Sequence, residues 1–333
     1  MNALKGAASL HMWSFKPQEM GNFFWGLATM GEPPGKDLLA VIRSRSVELM
    51  GEFERMDVSD ILWSFATVGE HPGQEFLEVV TKRAVEIVDR FDTHSTASLL
   101  WAYAVLGETP RGEALRVFCE HAIAVFLRGS EYEADRSREE EEEEALQILK
   151  TQVEPDLELG TGYNLRLRQV HQFILACELE GRLEGALQER PLLALKDKLG
   201  SVSRQAFFDT RGNPSRLQLE VAGTLKNIGL KCEEEAVDPA SGYQIDILVR
   251  VEDASGESIG IAVEVDGPSH FLSASHQRLA KARGSTMFKR KQLELLGYKV
   301  VSVPYWEWRE LLDVESRVLY MKRHFSRHGF DIQ

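Results

Sequence analysis

The chain has 333 residues, of which 43% are hydrophobic, and its three cysteines are scattered along it. These values exclude a disordered chain and a disulfide-stabilised secreted module. No run approaches the roughly 18 apolar residues of a membrane span, so no membrane partner is expected. The net charge is −13, but it is unevenly distributed. Residues 129–159 hold twelve acids against three bases, whereas residues 270–333 hold twelve Lys or Arg against six Asp or Glu. The charge of the local surface, and not the net charge of the chain, decides whether a polyanionic ligand is attracted.

The first third of the chain repeats with a period of 38 residues. Segments that begin at Phe15, Phe53 and Phe91 share six positions without a gap. Besides the Phe, the shared residues are Trp25, Trp63 and Trp101; Ala28, Ala66 and Ala104; Gly31, Gly69 and Gly107; Glu32, Glu70 and Glu108; and Pro34, Pro72 and Pro110. Each unit predicts two helices, the first of which ends at the glycine. Helix pairs at a fixed period predict a solenoid, and we expect the Trp and Ala side chains in its core.

The chain is predicted to begin in the middle of a repeat. Residues 1–14 align with the end of the second helix of a unit, so that Met12 matches Met50. Terminal repeats normally carry a polar cap. We therefore expect that the true start has been lost or mispredicted, and that a transit peptide, which is not visible here, lies upstream.

Residues 129–160 predict a flexible acidic linker, because the six acids of Glu139–Glu144 repel one another. A short helix is compatible with Ala145–Gln152. Residues 161–213 predict a helical bridge with amphipathic helices over Asn164–Glu180 and Leu192–Leu199, and His171 is expected to be a packing residue.

Residues 214–333 predict a mixed sheet flanked by helices, in the order αβββαβα. The predicted elements are a helix from Pro214 to Gly229, strands at Lys231–Val237, Tyr243–Val251 and Ile259–Val265, a helix at Thr286–Leu296, a strand at Tyr298–Val303, and a last helix from Pro304 to about His324.

The third strand ends in two acids, Glu264 and Asp266, two positions apart. Side chains alternate faces along a strand, so both acids point to one face and Val263 and Val265 to the other. Two like charges at this spacing repel unless a cation, hydrogen-bond donors or water screen them. The end of this strand is therefore a functional candidate.

Two stretches resemble a known domain. IAVEVDGPSHF (261–271) and KRKQLELLGYKVVSVPYWEWREL (289–311) are similar to the RAP domain over about residues 261–320, and the strand at Tyr243–Asp246 belongs with them. RAP domains occur in organelle RNA factors, including FASTK-type mitochondrial proteins. The 38-residue units, from Phe15 to about Leu127, resemble octotricopeptide (OPR) repeats. Together the resemblances imply an α-helical repeat solenoid at residues 1–128, and an α/β restriction-endonuclease-like RAP domain at residues 214–333.

The RAP domain in turn resembles the PD-(D/E)XK nuclease fold, nearest to very-short-patch repair endonucleases. The resemblance implies that Asp246 is the first acid, Glu264 the second and Glu220 the helix acid. Asp246, Glu264 and Asp266 would then hold Mg²⁺ or Mn²⁺. Asp266 stands where that fold has a Lys, which argues against hydrolysis. Lys289 or Lys291 would have to supply the missing positive charge, and His270 could act as a base. The alternative is that the acids serve folding or RNA docking.

RNA is the partner that both resemblances imply. The phosphate-binding candidates are Lys281, Arg283, Lys289, Arg290 and Lys291. His270 joins them as an RNA-binding candidate. Trp306 is a candidate for base stacking, with Tyr305 and Trp308 beside it, although we expect one of the two Trp in the core. Asn22, Asp60 and Ser98, polar and at one phase of the repeat, are candidates for reading base edges, and for that they should be exposed.

The favoured hypothesis is an organelle RNA-binding factor, in the mitochondrial matrix or the chloroplast stroma. It would act in processing, stability or translation of transcripts or rRNA, and RNA binding would require no cofactor. Its partners would be single-stranded mRNA or rRNA, and organellar ribosome or ribonucleoprotein proteins. One alternative is a metal-dependent endoribonuclease that uses Mg²⁺ or Mn²⁺. Another is a structural scaffold protein associated with an organellar ribosome, since many helical repeats bind protein.

Overall fold

The computed structural model describes residues 2–136, 161–182, 190–209, 213–252, 256, 258–273, 280–327 and 329–330. The chain divides into a helical unit, Met1–Thr29 with Pro34–Phe207, and a sheet unit, Met30–Pro33 with Phe208–Gln333. Among the described residues, no helix has both the length and the apolar character needed to cross a membrane. The predicted acidic run Glu139–Glu144 and the helix at Ala145–Gln152 lie outside the described residues.

The helices of the helical unit follow one another along the chain, and short connections join those that precede residue 137. Their bounds are α1 (Asn2–His11), α2 (Pro17–Thr29), α3 (Lys36–Leu49), α4 (Arg55–Val68), α5 (Gln74–Glu86), α6 (Thr93–Leu106), α7 (Gly112–Arg136), α8 (Thr161–Leu179) and α9 (Arg190–Phe208). Helix α7 continues to Arg136, so the helix runs past residue 129, where we expected the linker to begin.

In each 38-residue unit the repeated glycine lies at the end of the first helix, as predicted. Gly31, Gly69 and Gly107 have φ of 70°, 65° and 73°, in the left-handed region that glycine adopts at no steric cost. The amide of Gly69 donates to the carbonyl of Ala66 at 3.1 Å, and Gly107 makes the equivalent bond. The glycines thereby satisfy carbonyls that the helix ends would leave without partners.

Helix α1 has the local structure of a second helix in its unit, as the alignment of Met12 with Met50 predicted. A 3₁₀ turn, Met12–Ser14, follows α1, just as Met50–Glu52 follows α3. Both methionines are buried. The amide of Phe15 donates to Met12 at 3.1 Å, and Phe53 donates to Met50 at the same distance.

Helix α8 continues the row formed by α2, α4 and α6, each of which packs on the next. Its last turn repeats their cap: Gly181 has φ of 68°, its amide donates to Glu178 at 3.0 Å, and Arg182 donates to Cys177 at 2.8 Å. His171 is buried beside the ring of Phe207, in agreement with its predicted packing role. Residues 161–207 are therefore part of the helical unit and do not form a separate bridge.

Three tryptophans form a ladder along this row. The ring centroids of Trp25 and Trp63 are 6.5 Å apart, and those of Trp63 and Trp101 are 6.1 Å apart. Trp101 is 7% exposed, and its indole N–H donates to Oε1 of Gln172 on α8 at 3.0 Å. Trp25 is 46% exposed, because in the described part of the chain no first helix of a pair lies beyond α2. The expectation that every Trp is core is therefore wrong for Trp25.

The sheet unit has the predicted order αβββαβα, with the last helix in two parts. Its elements are α10 (Arg216–Asn227), β1 (Cys232–Val237), β2 (Gln244–Glu252), β3 (Ser258–Asp266), α11 (Gly284–Leu295), β4 (Lys299–Pro304), α12 (Tyr305–Arg309) and α13 (Val314–Arg327). The break comes before Asp313, whose carboxylate accepts from the amide of Ser316 at 2.6 Å and so begins α13 anew.

The strands follow one another in the order β1-β2-β3-β4. The first three are antiparallel, and β4 runs parallel to β3, with Val263 opposite Val301. One face of the sheet is apolar and packs on α10, α12 and α13 through Val221, Leu225, Ile247, Val263, Val265, Val303, Trp308 and Phe325. The alternate residues, which include Asp246, Glu264 and Asp266, consequently point to the other face.

The packing of the helical unit gives a stability prediction. Phe65 is buried against Phe24 and Phe76, with ring centroids 4.9 and 5.2 Å away, so Phe65→Ala should lower the free energy of unfolding by about 3–5 kcal/mol. Trp25→Ala should cost about 1 kcal/mol, since it loses mainly one ring contact. Trp63→Ala should fall between them. Chemical denaturation measures all three, and equal losses for Phe65→Ala and Trp25→Ala would contradict the packing described.

Candidate functional site

The acid at the end of β3 is enclosed by donors from three elements. Asp266 is 1% exposed. Its Oδ2 accepts from Nη2 of Arg290 on α11 and from the hydroxyl of Ser302 on β4, both at 2.5 Å. Its Oδ1 lies 3.1 Å from Nδ1 of His270. Arg290 Nη2 also donates to Ser302 Oγ at 2.7 Å, so these side chains form one connected network.

This environment keeps Asp266 ionised. Burial alone would raise the pKa of its carboxyl group. The hydrogen bond with His270, the charge of Arg290 and the bond from Ser302 outweigh burial, and the pKa lies below its usual value. Because the donors satisfy this buried carboxylate, the network holds its side chains in a fixed geometry.

Glu264 lies two residues earlier on the same face and has one cationic partner. Its Oε2 accepts from Nζ of Lys289 at 2.5 Å, and its Oε1 is buried with no hydrogen-bond partner among the described residues. Burial raises the pKa of Glu264 to about 7, against the charge of Lys289. Burial lowers the pKa of Lys289, but the charges of Glu264 and Asp246 outweigh burial and raise it overall. Lys289 thus neutralises Glu264 from helix α11.

Asp246 on β2 completes the predicted group of acids but uses its carboxylate differently. Its Oδ2 accepts from the backbone amide of Val265 at 2.7 Å. Burial raises its pKa, while the charge of Lys289 and the bond from Val265 act in the opposite direction. Asp246 therefore links β2 to the end of β3.

A fourth acid, Glu235, was missed from the sequence. Its φ is +52°, which is unusual for a residue other than glycine. The pairing of β1 with β2 runs in one register on both sides of it, with Glu234 opposite Ile247 and Ala236 opposite Ile245, so Glu235 lies opposite Asp246.

The carboxylate of Glu235 is held by neighbouring side chains. The carboxylate of Glu235 accepts from Nε2 of Gln218 at 2.9 Å and also from Gln244. Burial, then the charge of Asp246, raises its pKa. The run of three acids at Glu233–Glu235 in a strand was the available signal, since alternation cannot turn all three to solvent.

The residues present do not fit the divalent cation that the nuclease resemblance implied. Lys289 binds one oxygen of Glu264 and Arg290 binds one oxygen of Asp266, so cations of the protein already neutralise these two acids. Across the described ranges, no three His, Cys, Asp or Glu side chains are arranged so that they could hold a metal ion. Glu220, the predicted helix acid, instead contacts Arg216, Arg317 and the indole N–H of Trp308 at 3.2, 3.4 and 3.3 Å.

The predicted phosphate-binding patch is divided by these ion pairs. Lys289 and Arg290 are half-buried and neutralise acids of the sheet. Arg283 is half-buried, and its backbone amide donates to the carbonyl of His270 at 2.9 Å. Lys281 and Lys291 are exposed. Only these two of the five keep the exposed position that contact with a phosphate requires.

The two tryptophans of α12 are both core residues. Trp308 is buried in the apolar face of the sheet unit. Trp306 is buried with its ring centroid 4.4 Å from that of Phe271 and 5.1 Å from that of Tyr305. The expectation that Trp306 stacks on a base is therefore not met in this structure.

The three predicted base-reading positions differ in exposure. Asn22 is exposed and Asp60 is half-buried. Burial, with a smaller effect of the Asp57 charge, raises the pKa of Asp60 to about 6. Ser98 is 4% exposed, because α8 packs on its helix. The prediction that all three positions are exposed is therefore wrong for Ser98.

Comparison with known proteins agrees with the architecture of the sheet unit. Residues 263–330 match the family model of the RAP domain. This stretch begins in β3, at the buried acids, and reaches past α13. The chain therefore contains a RAP domain, in the part of the sequence where the resemblance predicted one.

Two curated proteins are similar over part of their length. The chain is 29% identical over 139 residues to "RAP domain-containing protein, chloroplastic" of Oryza sativa subsp. japonica, covering 42% of this chain and 19% of that protein. It is 29% identical over 75 residues to "FAST kinase domain-containing protein 1, mitochondrial" of Mus musculus, covering 22% and 9%. The match thus spans a fifth or less of either relative.

The ion pair between Glu264 and Lys289 predicts a substitution whose effect on the free energy of unfolding depends on pH. Lys289→Met should lower the free energy of unfolding by about 3–5 kcal/mol at pH 8, because it leaves an ionised carboxylate buried without its partner. The loss should be smaller at pH 5. Since the folded pKa of Glu264 is raised, the contribution of this group to the stability of the wild-type protein falls as pH rises from about 4 to 7. Urea denaturation at the two pH values measures both effects.

Two further variants test the cause. Glu264→Gln in the Lys289→Met background should remove the pH dependence that this mutation adds. Lys226→Met, which breaks the exposed pair with Glu234, should have little effect at either pH. A pH-independent loss for Lys289→Met would show that lost packing, and not the ion pair, is responsible.

Proposed function

We propose that the protein is an RNA-binding factor of mitochondria or chloroplasts. The observation that carries this proposal is the RAP domain at residues 263–330, together with relatives whose names place them in the chloroplast and the mitochondrion. Its role would be in processing, stability or translation of organellar transcripts or rRNA. Ribosomal or other ribonucleoprotein proteins are proposed as further partners.

Charge in the sheet unit supports RNA as the ligand. The deep acids Glu264 and Asp266 are neutralised within the protein by Lys289 and Arg290. Their field therefore does not oppose a polyanion as two free carboxylates would. Lys281 and Lys291 have exposed side chains and are the proposed phosphate contacts.

The helical unit is proposed to bind single-stranded RNA as an octotricopeptide-like array. Its support is the recurrence of helix, glycine cap and Trp at a 38-residue spacing, and the row in which the first helices pack. Such rows present an extended surface along which a flexible strand can lie. Asn22 and Asp60 are the proposed base-reading positions that keep exposed or half-exposed side chains.

The three buried acids of the sheet are proposed to stabilise the sheet unit and to support RNA docking, and not to cleave RNA. Asp246, Glu264 and Asp266 are each engaged by donors inside the unit. A hydrolytic site would need oxygens open to a metal ion and a cation facing the scissile phosphate. The endoribonuclease alternative is therefore not the function that this geometry supports best.

Crosslinking of a tagged protein in intact cells tests the proposal. The expected result is enrichment of organellar mRNA or rRNA over cytosolic transcripts, together with co-purification from the organelle fraction. A protein that crosslinks no RNA, or only cytosolic RNA, would overturn it.

The salt dependence of binding gives a residue-level prediction. Lys281→Ala with Lys291→Ala should weaken binding to single-stranded RNA and reduce the slope of log affinity against log salt by about 1.4, because two phosphate contacts are lost. The matched control is Lys198→Ala with Lys226→Ala, which removes the same charge from lysines paired with Asp197 and Glu234. Fluorescence anisotropy at several salt concentrations measures the slope. Equal changes in the two variants would assign the effect to net charge.

A further inference from the structure

The last two helices of the sheet unit enclose a cleft that the RNA proposal has not yet used. Its volume is about 360 Å³, and its lining includes Leu311, Leu319, Tyr320, Arg323, His324 and Arg327. We propose that this cleft binds a single unpaired nucleotide of an RNA strand, with the base on its apolar wall and the phosphate at its arginines. The inference rests on the proposed function and names a site for it.

The cleft exists because α13 has two different faces. Met321 and Phe325 are buried in the core of the sheet unit. Ser316, Tyr320, Arg323 and Arg327, spaced at i, i+4, i+7 and i+11, line the cleft. The helix therefore presents a row of polar and aromatic side chains away from the core.

An aromatic wall is fixed in place on one side. The phenol of Tyr320 donates to Oε2 of Glu307 at 2.8 Å, which sets the orientation of its ring. The ring centroid of His324 lies 4.2 Å from that of Tyr320. Leu319, 48% exposed, adds apolar surface at the mouth. Exposed apolar and aromatic surface of this kind accepts the face of a nucleobase of any sequence.

Two cations stand at the same opening. Arg323 and Arg327 are exposed and lie one helical turn apart. Guanidinium groups bind phosphate oxygens through paired hydrogen bonds. Glu307 is the one acid in the lining, and it is engaged by Tyr320, so the cleft favours an anion.

The size and mixed character of the cleft select a nucleotide. Its volume lies at the low end of the roughly 300–1,000 Å³ of small-ligand sites. An apolar wall beside two arginines matches a ligand that carries a flat apolar ring and a phosphate. A duplex does not present a base in this way, whereas a single strand does. The cleft is therefore proposed to bind unpaired RNA.

The test compares two double variants of the full chain. Arg323→Ala with Arg327→Ala should weaken binding of a single-stranded oligonucleotide about tenfold and lower the salt slope by about 1.4. The matched control, Arg250→Ala with Lys299→Ala, removes the same charge from exposed residues outside the cleft and should change affinity much less. Melting curves check that both variants are folded.

A crosslink gives a readout that does not depend on a variant. RNA that contains 4-thiouridine, irradiated with the wild-type protein, should modify the tryptic peptide Val318–Lys322, which contains Leu319 and Tyr320. Free AMP and UMP, titrated by NMR, test the other source of the same chemistry. They should bind far more weakly than the oligonucleotide.

The outcomes separate this inference from the function it rests on. If wild-type protein binds RNA but the cleft variant binds equally well and no crosslink forms in Val318–Lys322, the cleft assignment is overturned and the RNA-binding function stands. If both double variants weaken binding equally, only net charge is involved and the cleft is again overturned. If wild-type protein binds no RNA, the proposed function and this site fail together. Binding of free mononucleotides that RNA does not displace would overturn RNA as the ligand.

Discussion

The sheet unit depends on the neutralisation of two buried carboxylates on one face of its third strand. Glu264 is 2% exposed and Asp266 is 1% exposed, and burying charges this fully is costly unless cations and donors accompany them. Helix α11 supplies both cations, Lys289 and Arg290, from adjacent positions. The helix is therefore held over the sheet by electrostatics on this face, while the opposite face is held by apolar packing.

This arrangement engages, within the protein itself, the acids that the nuclease resemblance singled out. In a hydrolytic site the carboxylates stay open toward a metal ion. Here Arg290, Ser302 and His270 surround Asp266. Asp266 stands where the nuclease fold of that resemblance has a Lys, and the cation beside it, Arg290, comes from helix α11 instead of the strand.

The helical unit rests on a different principle, the recurrence of one packing unit. Each first helix ends at a left-handed glycine, and each Trp lies against the next in a ladder with centroids 6.1–6.5 Å apart. Burial increases along the ladder because each added helix covers the previous one. The fourth member, α8, uses Leu175 where the others use Trp, and Gln172 receives the indole N–H of Trp101. Burial at a given repeat position thus depends on its place in the row.

The sequence determined the elements, the glycine caps, the order αβββαβα and the face on which Glu264 and Asp266 lie, because these follow from local periodicity. It did not reveal α8 as a further helix of the row, since the acidic segment breaks the 38-residue spacing and a Leu replaces the Trp. It also missed Glu235, whose left-handed backbone opposite Asp246 is not recorded in any local pattern. Only the tertiary structure decided which cations are exposed, because Lys289 and Arg290 reach the acids across 24 or 25 residues of chain. Burial of Trp306 and Ser98 was likewise decided by packing between elements, which no local pattern records.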